Sequence, residues 1–179
     1  MDKLAQIAEL LITFASSIYI TIVIVRFILQ LVRADFYNPL SQFIVSATNP
    51  LLLPLRKVIP GFFGIDIASI ILALLLQMAT LTLLILLKGS GLPPLLPLLA
   101  YSAYELVTLV LNIYLFALIV IVIVSWIAPN GHNPAVALLS SITEPLLKPI
   151  RNVLPSTGGL DFSVMAALLI IYILKILIA

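Results

Sequence analysis

One stretch of 29 residues occurs twice, and it constrains the fold more than any other feature. Residues 38–66 read NPLSQFIVSATNPLLLPLRKVIPGFFGID, and residues 133–161 read NPAVALLSSITEPLLKPIRNVLPSTGGLD. The two align without a gap. Asn38-Pro39 falls on Asn133-Pro134, Thr48 on Thr143, Pro50-Leu51-Leu52 on Pro145-Leu146-Leu147, and Pro54 on Pro149. Arg56 falls on Arg151, Pro60 on Pro155, Gly64 on Gly159 and Asp66 on Asp161. Prolines, an arginine and an aspartate in one register imply that a single structural unit is built twice.

What flanks the repeated stretch sets the solvent. Hydrophobic residues make up 63% of the chain and charged residues 9%, against about 25% charged in soluble domains. Four runs approach the roughly 20 apolar residues that a helix needs to cross a bilayer core: about Leu4–Leu31, Ile67–Leu87, about Ala103–Ile127, and Phe162–Ala179. They must be helices, because lipid cannot satisfy open backbone groups. The expected fold is therefore an all-α membrane protein. Its four transmembrane helices form two tandem parallel repeats of helix, interfacial or re-entrant helix, helix, related by a pseudo-twofold axis along the membrane normal. The first repeat takes residues 1–87 and the second 101–179. The apolar Gly/Pro linker 88–100 reads as a loop in the headgroup region. Asp2 and Glu9 do not suit a signal peptide, whose leading region is positive.

Basic residues orient the chain. Arg33, Arg56, Lys57, Lys148 and Arg151 sit between the spans of each repeat, and only Lys3, Lys88 and Lys175 lie on the other side. The positive-inside rule then places both repeated stretches in the cytoplasm and both termini outside it. The net charge of +2 gives no reason to expect nucleic acid.

Within each stretch, Asn38 and Asn133 suit an N-cap, and Pro39 and Pro134 suit the first helical position. Short interfacial helices are expected to run to about Thr48 and Thr143, ended by Pro50 and Pro145. Arg56 and Arg151 can hold a lipid phosphate or a carboxylate with a bidentate fork. Asp66 and Asp161 can cap the spans that follow. Each arginine is expected near one of these aspartates, with a contribution of about 0–1 kcal/mol at a wet interface. Two readings stand side by side: helix punctuation at the membrane surface, or two related polar clusters lining a cytoplasmic vestibule.

On these residues the chain resembles the YggT family of bacterial membrane proteins, called YlmG in some lineages and found also in plastids. The second repeat carries the pattern most fully, as Asn133-Pro134, Thr143-Glu144-Pro145-Leu146-Leu147, Pro149-Ile150-Arg151, Pro155 and Gly159-Leu160-Asp161-Phe162-Ser163. The first repeat departs from it with Asn49 in place of Glu144 and Ala68 in place of Ser163. The resemblance implies an inner-membrane protein without enzymatic activity, connected with osmotic and potassium tolerance or with division and nucleoid organisation.

Polar residues inside the spans fall on helical faces. Glu9, Thr13, Ser16, Tyr19, Arg26, Gln30 and Arg33 line one face of the first span. Ser69, Gln77, Thr80 and Lys88 lie close to one face of the second, and Glu105, Thr108 and Asn112 share a face of the third. Such groups face a bundle interior or a water-filled cavity, either as an ion path or as helix–helix glue. Arg26 and Lys175 read as side chains snorkelling to the surface. Glu9, Lys88, Glu105 and Lys175 fall near the outer surface, where acids and bases can neutralise each other.

Catalytic signatures are lacking. The lone histidine, His132, reads as a solvated loop residue, and neither a metalloprotease helix motif nor a nucleophile elbow occurs. With no cysteine, disulfides and thiol chemistry are excluded. No cofactor and no metal are expected. The expected partners are the lipid bilayer with its anionic headgroups, a further copy of the chain, and a membrane or cytoplasmic protein. The functions that remain are a membrane adaptor or scaffold, and a small oligomeric channel or transport component.

Overall fold

A computed structural model of the chain describes residues 3–61, 64–127, 133–153 and 161–178. Among them are six α-helices and no strand: α1 Lys3–Leu31, α2 Pro39–Val58, α3 Ile67–Leu87, α4 Leu95–Ile127, α5 Pro134–Val153 and α6 Phe162–Ile178. Three of these, α1, α3 and α4, are long and apolar enough to cross a membrane, while α6 is an apolar helix of 17 residues.

Two expectations fail here. The linker 88–100 is not a loop throughout, because α4 begins at Leu95. Pro97 lies in its first turn, where a missing N–H costs nothing, and the Leu98 amide bonds the Pro94 carbonyl at 3.2 Å. The interfacial helices also do not stop at Pro50 and Pro145. Both run on for 20 residues, with Pro50 and Pro54 inside α2 and Pro145 and Pro149 inside α5. Prolines four apart share one face of a helix, and here all four are exposed. The carbonyls that lose a helical N–H partner thus lie on the side open to other donors, which is where an interrupted ladder is tolerated.

The ends of α1 and α3 are built alike. After α1, the Ala34 amide bonds the Leu29 carbonyl at 2.9 Å and the Arg33 amide bonds that of Gln30 at 3.2 Å. After α3, Ser90 bonds Ile85 at 3.2 Å and Gly89 bonds Leu86 at 2.9 Å. This is the Schellman arrangement, which needs a left-handed residue just past the helix. Gly89 supplies it at φ 75°, whereas Arg33 adopts φ 54° at the cost that a Cβ imposes there.

The helices divide between two compact units. The first comprises Met1–Phe27 and Ile44–Leu109, the second Ile28–Phe43 and Val110–Ala179. The first buries Ile20, Val23 and Ile24 of α1, Leu52 of α2, Ala68, Leu72 and Ala73 of α3, and Leu106 of α4. In the second, Leu118, Leu147, Val164, Ala167 and Ile171 form one core, with Leu111, Tyr114, Leu115, Val122 and Ile150 packed against it. Leu138, Ile142, Thr143 and Leu147 make the buried face of α5.

Candidate functional site

The repeated stretches begin as capped helices. The Asn38 side-chain oxygen accepts the Leu40 amide at 2.9 Å, and that of Asn133 accepts the Ala135 amide at 2.9 Å. Each asparagine carbonyl takes the first helical bond, from Gln42 and Ala137, both at 3.0 Å. With no N–H of their own to satisfy, Pro39 and Pro134 open the two helices. Within the second unit, the Asn38 amide group also donates to the Pro134 carbonyl at 2.7 Å. The two helix starts are therefore tied directly to each other.

In the first unit, Arg56 near the end of α2 grips Asp66 at the start of α3. Its Nε donates to Oδ1 at 3.3 Å, and its Nη2 pairs with Oδ2. The same Oδ2 accepts the Ser69 hydroxyl. The chain between can fold back because Gly64 adopts φ 82°. Asp66 is 3% exposed and Arg56 32%, so this is not the wet, weak pair that the sequence suggests. Nor does the Asp66 side chain cap α3: it occupies the N-cap position but makes no capping bond. Burial pushes its carboxyl up, but the bonds from Arg56 and Ser69 outweigh burial and hold it below the ordinary 3.8. A depressed carboxylate contributes stability above its unfolded pKa and loses it as pH falls through the folded one. The Asp66 contribution is therefore intact above about pH 3.8 and is lost in more acid solution.

The second unit repeats the clamp with altered parts. Arg151 Nε donates to Asp161 Oδ2 at 3.1 Å, while Nη1 bonds both oxygens of Glu144, at 3.1 and 2.9 Å. Asp161 does cap its helix, accepting the Ser163 amide at 3.0 Å, and it also takes the Ser163 hydroxyl. Exposure is far higher here, 42% for Arg151 and 45% for Asp161. Burial raises the Asp161 carboxyl, but the Ser163 and Arg151 bonds together bring it below its usual value. Burial works against the Arg151 charge, and the two carboxylates raise its pKa nonetheless. Pro155 and Gly159, expected to turn the chain here, lie outside the described residues, as does His132.

The departures between repeats now have a physical sense. Ala68 replaces Ser163, yet Ser69, one residue further on, brings the hydroxyl to the aspartate. Where the second repeat has Glu144 on Arg151, the first has Asn49 on a different arginine. Arg26 Nη1 donates to Asn49 Oδ1 at 2.8 Å, to the Val45 carbonyl at 3.1 Å and to the Thr48 hydroxyl. At 5% exposure Arg26 does not snorkel. It fastens α1 to α2, helped by the Tyr19 hydroxyl on the Ala47 carbonyl at 3.3 Å. Along α1 alone Arg26 lies within reach of the surface, because nothing in the sequence shows α2 folded against that face.

The intramembrane candidates separate. Gln77 and Glu105 line one crevice of about 260 Å³ in the first unit, together with Thr13, Ser16, Ser17, Thr80 and Tyr101. Asn112 lies elsewhere, in the second unit, where it accepts Lys175 Nζ at 2.8 Å. Lys175 thus finds a partner on α4 rather than reaching only for the surface. Lys88 pairs with Glu9 at 2.7 Å. Among the described residues no group of three or more His, Cys, Asp or Glu could hold a metal ion. The arginine forks are engaged by carboxylates, which makes the clamps positioning devices joining α2 to α3 and α5 to α6.

The model of the CCB3/YggT family matches the chain over residues 5–87 and 100–179. An uncharacterised protein of Pseudomonas aeruginosa is 52% identical over 163 residues, covering 90% of this chain and 83% of that protein. An uncharacterised protein of Vibrio alginolyticus is 37% identical over 162 residues, covering 87% and 84%. The uncharacterised protein YggT of Escherichia coli K12 is 34% identical over 163 residues, covering 90% and 84%. No solved structure gives a significant match.

Proposed function

The chain belongs to the CCB3/YggT family, and from that premise we propose that it is a non-enzymatic, multi-pass protein of the bacterial inner membrane. In this reading α1, α3, α4 and α6 are four spans, arranged as two parallel repeats. Both termini lie outside the cytoplasm, and α2 and α5 lie along the cytoplasmic surface as an adaptor platform. The observation that carries it is the arginine–carboxylate clamp at matching positions of both repeats, Arg56–Asp66 and Arg151–Asp161. Each clamp fixes the end of a 20-residue helix against the start of an apolar one, which is the geometry of a held surface. Lys57 and Lys148, both exposed, are placed to meet anionic headgroups. The platform would receive a further copy of the chain or another membrane or cytoplasmic protein, in osmotic stress tolerance or in envelope and division organisation.

The test uses the exposed clamp, whose loss costs little stability. Arg151→Ala and Asp161→Ala are expected to insert normally in the membrane and to give similar defects of growth at high osmolarity. Full tolerance in both variants would overturn the adaptor reading of the clamp.

The crevice at Gln77 and Glu105 favours a second reading, a small oligomeric channel or transport component for potassium or another osmotically active ion. Flux of potassium or sodium from liposomes holding the purified protein separates the two: a scaffold gives none above empty liposomes.

A further inference from the structure

We propose that the crevice between α1, α3 and the first half of α4 is a binding site for one monovalent cation, with the Glu105 carboxylate as its counter-charge. The argument begins with hydroxyl protons. A serine or threonine hydroxyl has one proton to donate and two lone pairs to offer. At three of the four serine and threonine residues that line the crevice, the proton is already engaged on the residue's own helix. Ser16 donates to the Ile12 carbonyl at 2.5 Å, Ser17 to Phe14 at 3.0 Å, and Thr80 to Leu76 at 2.8 Å. Back-bonded hydroxyls of this kind present only lone pairs outward. None of the three donates its proton to a neighbouring helix, so they do not act as glue by that route.

Of the other polar groups of the crevice, Glu105 carries the charge. Glu105 is acceptor-only when ionised, and Tyr101, one turn earlier on α4, lines the crevice with it. Gln77 is neutral: its amide oxygen can accept and its amide nitrogen can donate, so it can serve a cation or Glu105. No lysine or arginine lines the crevice. The nearest cation along α3 is Lys88, one turn beyond Leu84, and Glu9 already holds it at 2.7 Å. A concave site with one negative charge, an excess of oxygen lone pairs and no built-in cation is complementary to a hard cation bound through oxygen.

Charge and size fix the class. One carboxylate balances one positive charge, whereas a divalent ion would keep an uncompensated charge in an apolar setting, which is costly. The 260 Å³ corresponds to roughly eight waters at about 30 Å³ each, enough for an alkali cation that keeps part of its hydration shell. The inference extends the transport reading of the same crevice, but binding at equilibrium needs no gradient. A failed flux assay and a failed binding assay are therefore separate results.

The test is thermal unfolding of the purified full chain in non-ionic detergent micelles. N-methylglucamine chloride is exchanged for potassium or sodium chloride at constant ionic strength. A ligand that binds only the folded state raises the melting temperature with saturation. The wild type is expected to show a saturable rise with at least one alkali chloride. Glu105→Gln should lose that rise, and Thr80→Val should shift its midpoint to several-fold higher salt. Ser141→Ala, which removes a back-bonded hydroxyl in the second unit, should leave it unchanged. Superposed melts in alkali and N-methylglucamine salts would overturn the proposal, as would a wild-type response in Glu105→Gln. Should Glu105→Gln not fold, an unchanged midpoint in Thr80→Val overturns it equally.

Discussion

Asp66→Ala is expected to destabilise the protein by about 2–3 kcal/mol, while Asp161→Ala, the same change at the matching position, costs about 1 kcal/mol, mostly the lost cap of α6. The difference follows from burial. Removing Asp66, 3% exposed, leaves the Arg56 charge in a largely buried place without its carboxylate and takes the acceptor from the Ser69 hydroxyl. Breaking one side of a buried pair typically costs about 3–5 kcal/mol, reduced here because Arg56 keeps a third of its surface exposed. Removing Asp161 leaves Arg151 well exposed and still bound to Glu144 by two bonds. Unfolding of both variants in micelles measures the contrast. Equal costs would show that the two clamps are energetically the same.

Arg26→Leu is the second large effect, expected at about 2–4 kcal/mol. The leucine fills space but abandons Asn49 Oδ1, the Val45 carbonyl and the Thr48 hydroxyl. Hydrogen bonds to a charged donor contribute about 1.5–3 kcal/mol each, and a buried acceptor left without a partner adds its desolvation cost. Making both partners apolar is far less harmful, so the double variant Arg26→Leu, Asn49→Leu should recover part of the loss. Arg26→Lys keeps the charge but lacks the planar fork, and should fall between. A double variant less stable than Arg26→Leu alone would contradict this account of Asn49.

Much of the fold is legible in the sequence because apolar length and cap chemistry are local signals. The Asn-Pro pairs mark the starts of α2 and α5 to the residue, since an asparagine cap and a first-turn proline need no tertiary context. The uninterrupted apolar run Ile67–Leu87 likewise is α3 as read. Proline as a helix stop fails at Pro50 and Pro145, because the rule describes the isolated backbone. Exposed on one face of α2, Pro50 and Pro54 leave the opposite face free to bury Thr48 and Leu52.

The site is legible as a list of residues and not as a hierarchy among them. Spacing puts Arg56 near Asp66 and Arg151 near Asp161, but nothing in the spacing distinguishes the buried pair from the exposed one. Arg26 is the residue most misjudged. On α1 alone it is a basic group near a helix end, and only α2 laid against that helix converts it into a tie. The replacement of Glu144 by Asn49 is visible in the alignment of the repeats. The different arginine that Asn49 meets, Arg26, is not.

The membrane topology is the premise on which the adaptor platform stands, and the lack of cysteine allows a direct measurement. Single cysteines at Val58, 80% exposed at the end of α2, and at Leu92, 79% exposed between α3 and α4, are labelled with a membrane-impermeant maleimide in spheroplasts before and after lysis. The account predicts that Leu92→Cys reacts on intact spheroplasts and Val58→Cys only after lysis. Labelling of Val58→Cys from outside, with Leu92→Cys protected until lysis, would contradict it and move both clamps to the other face.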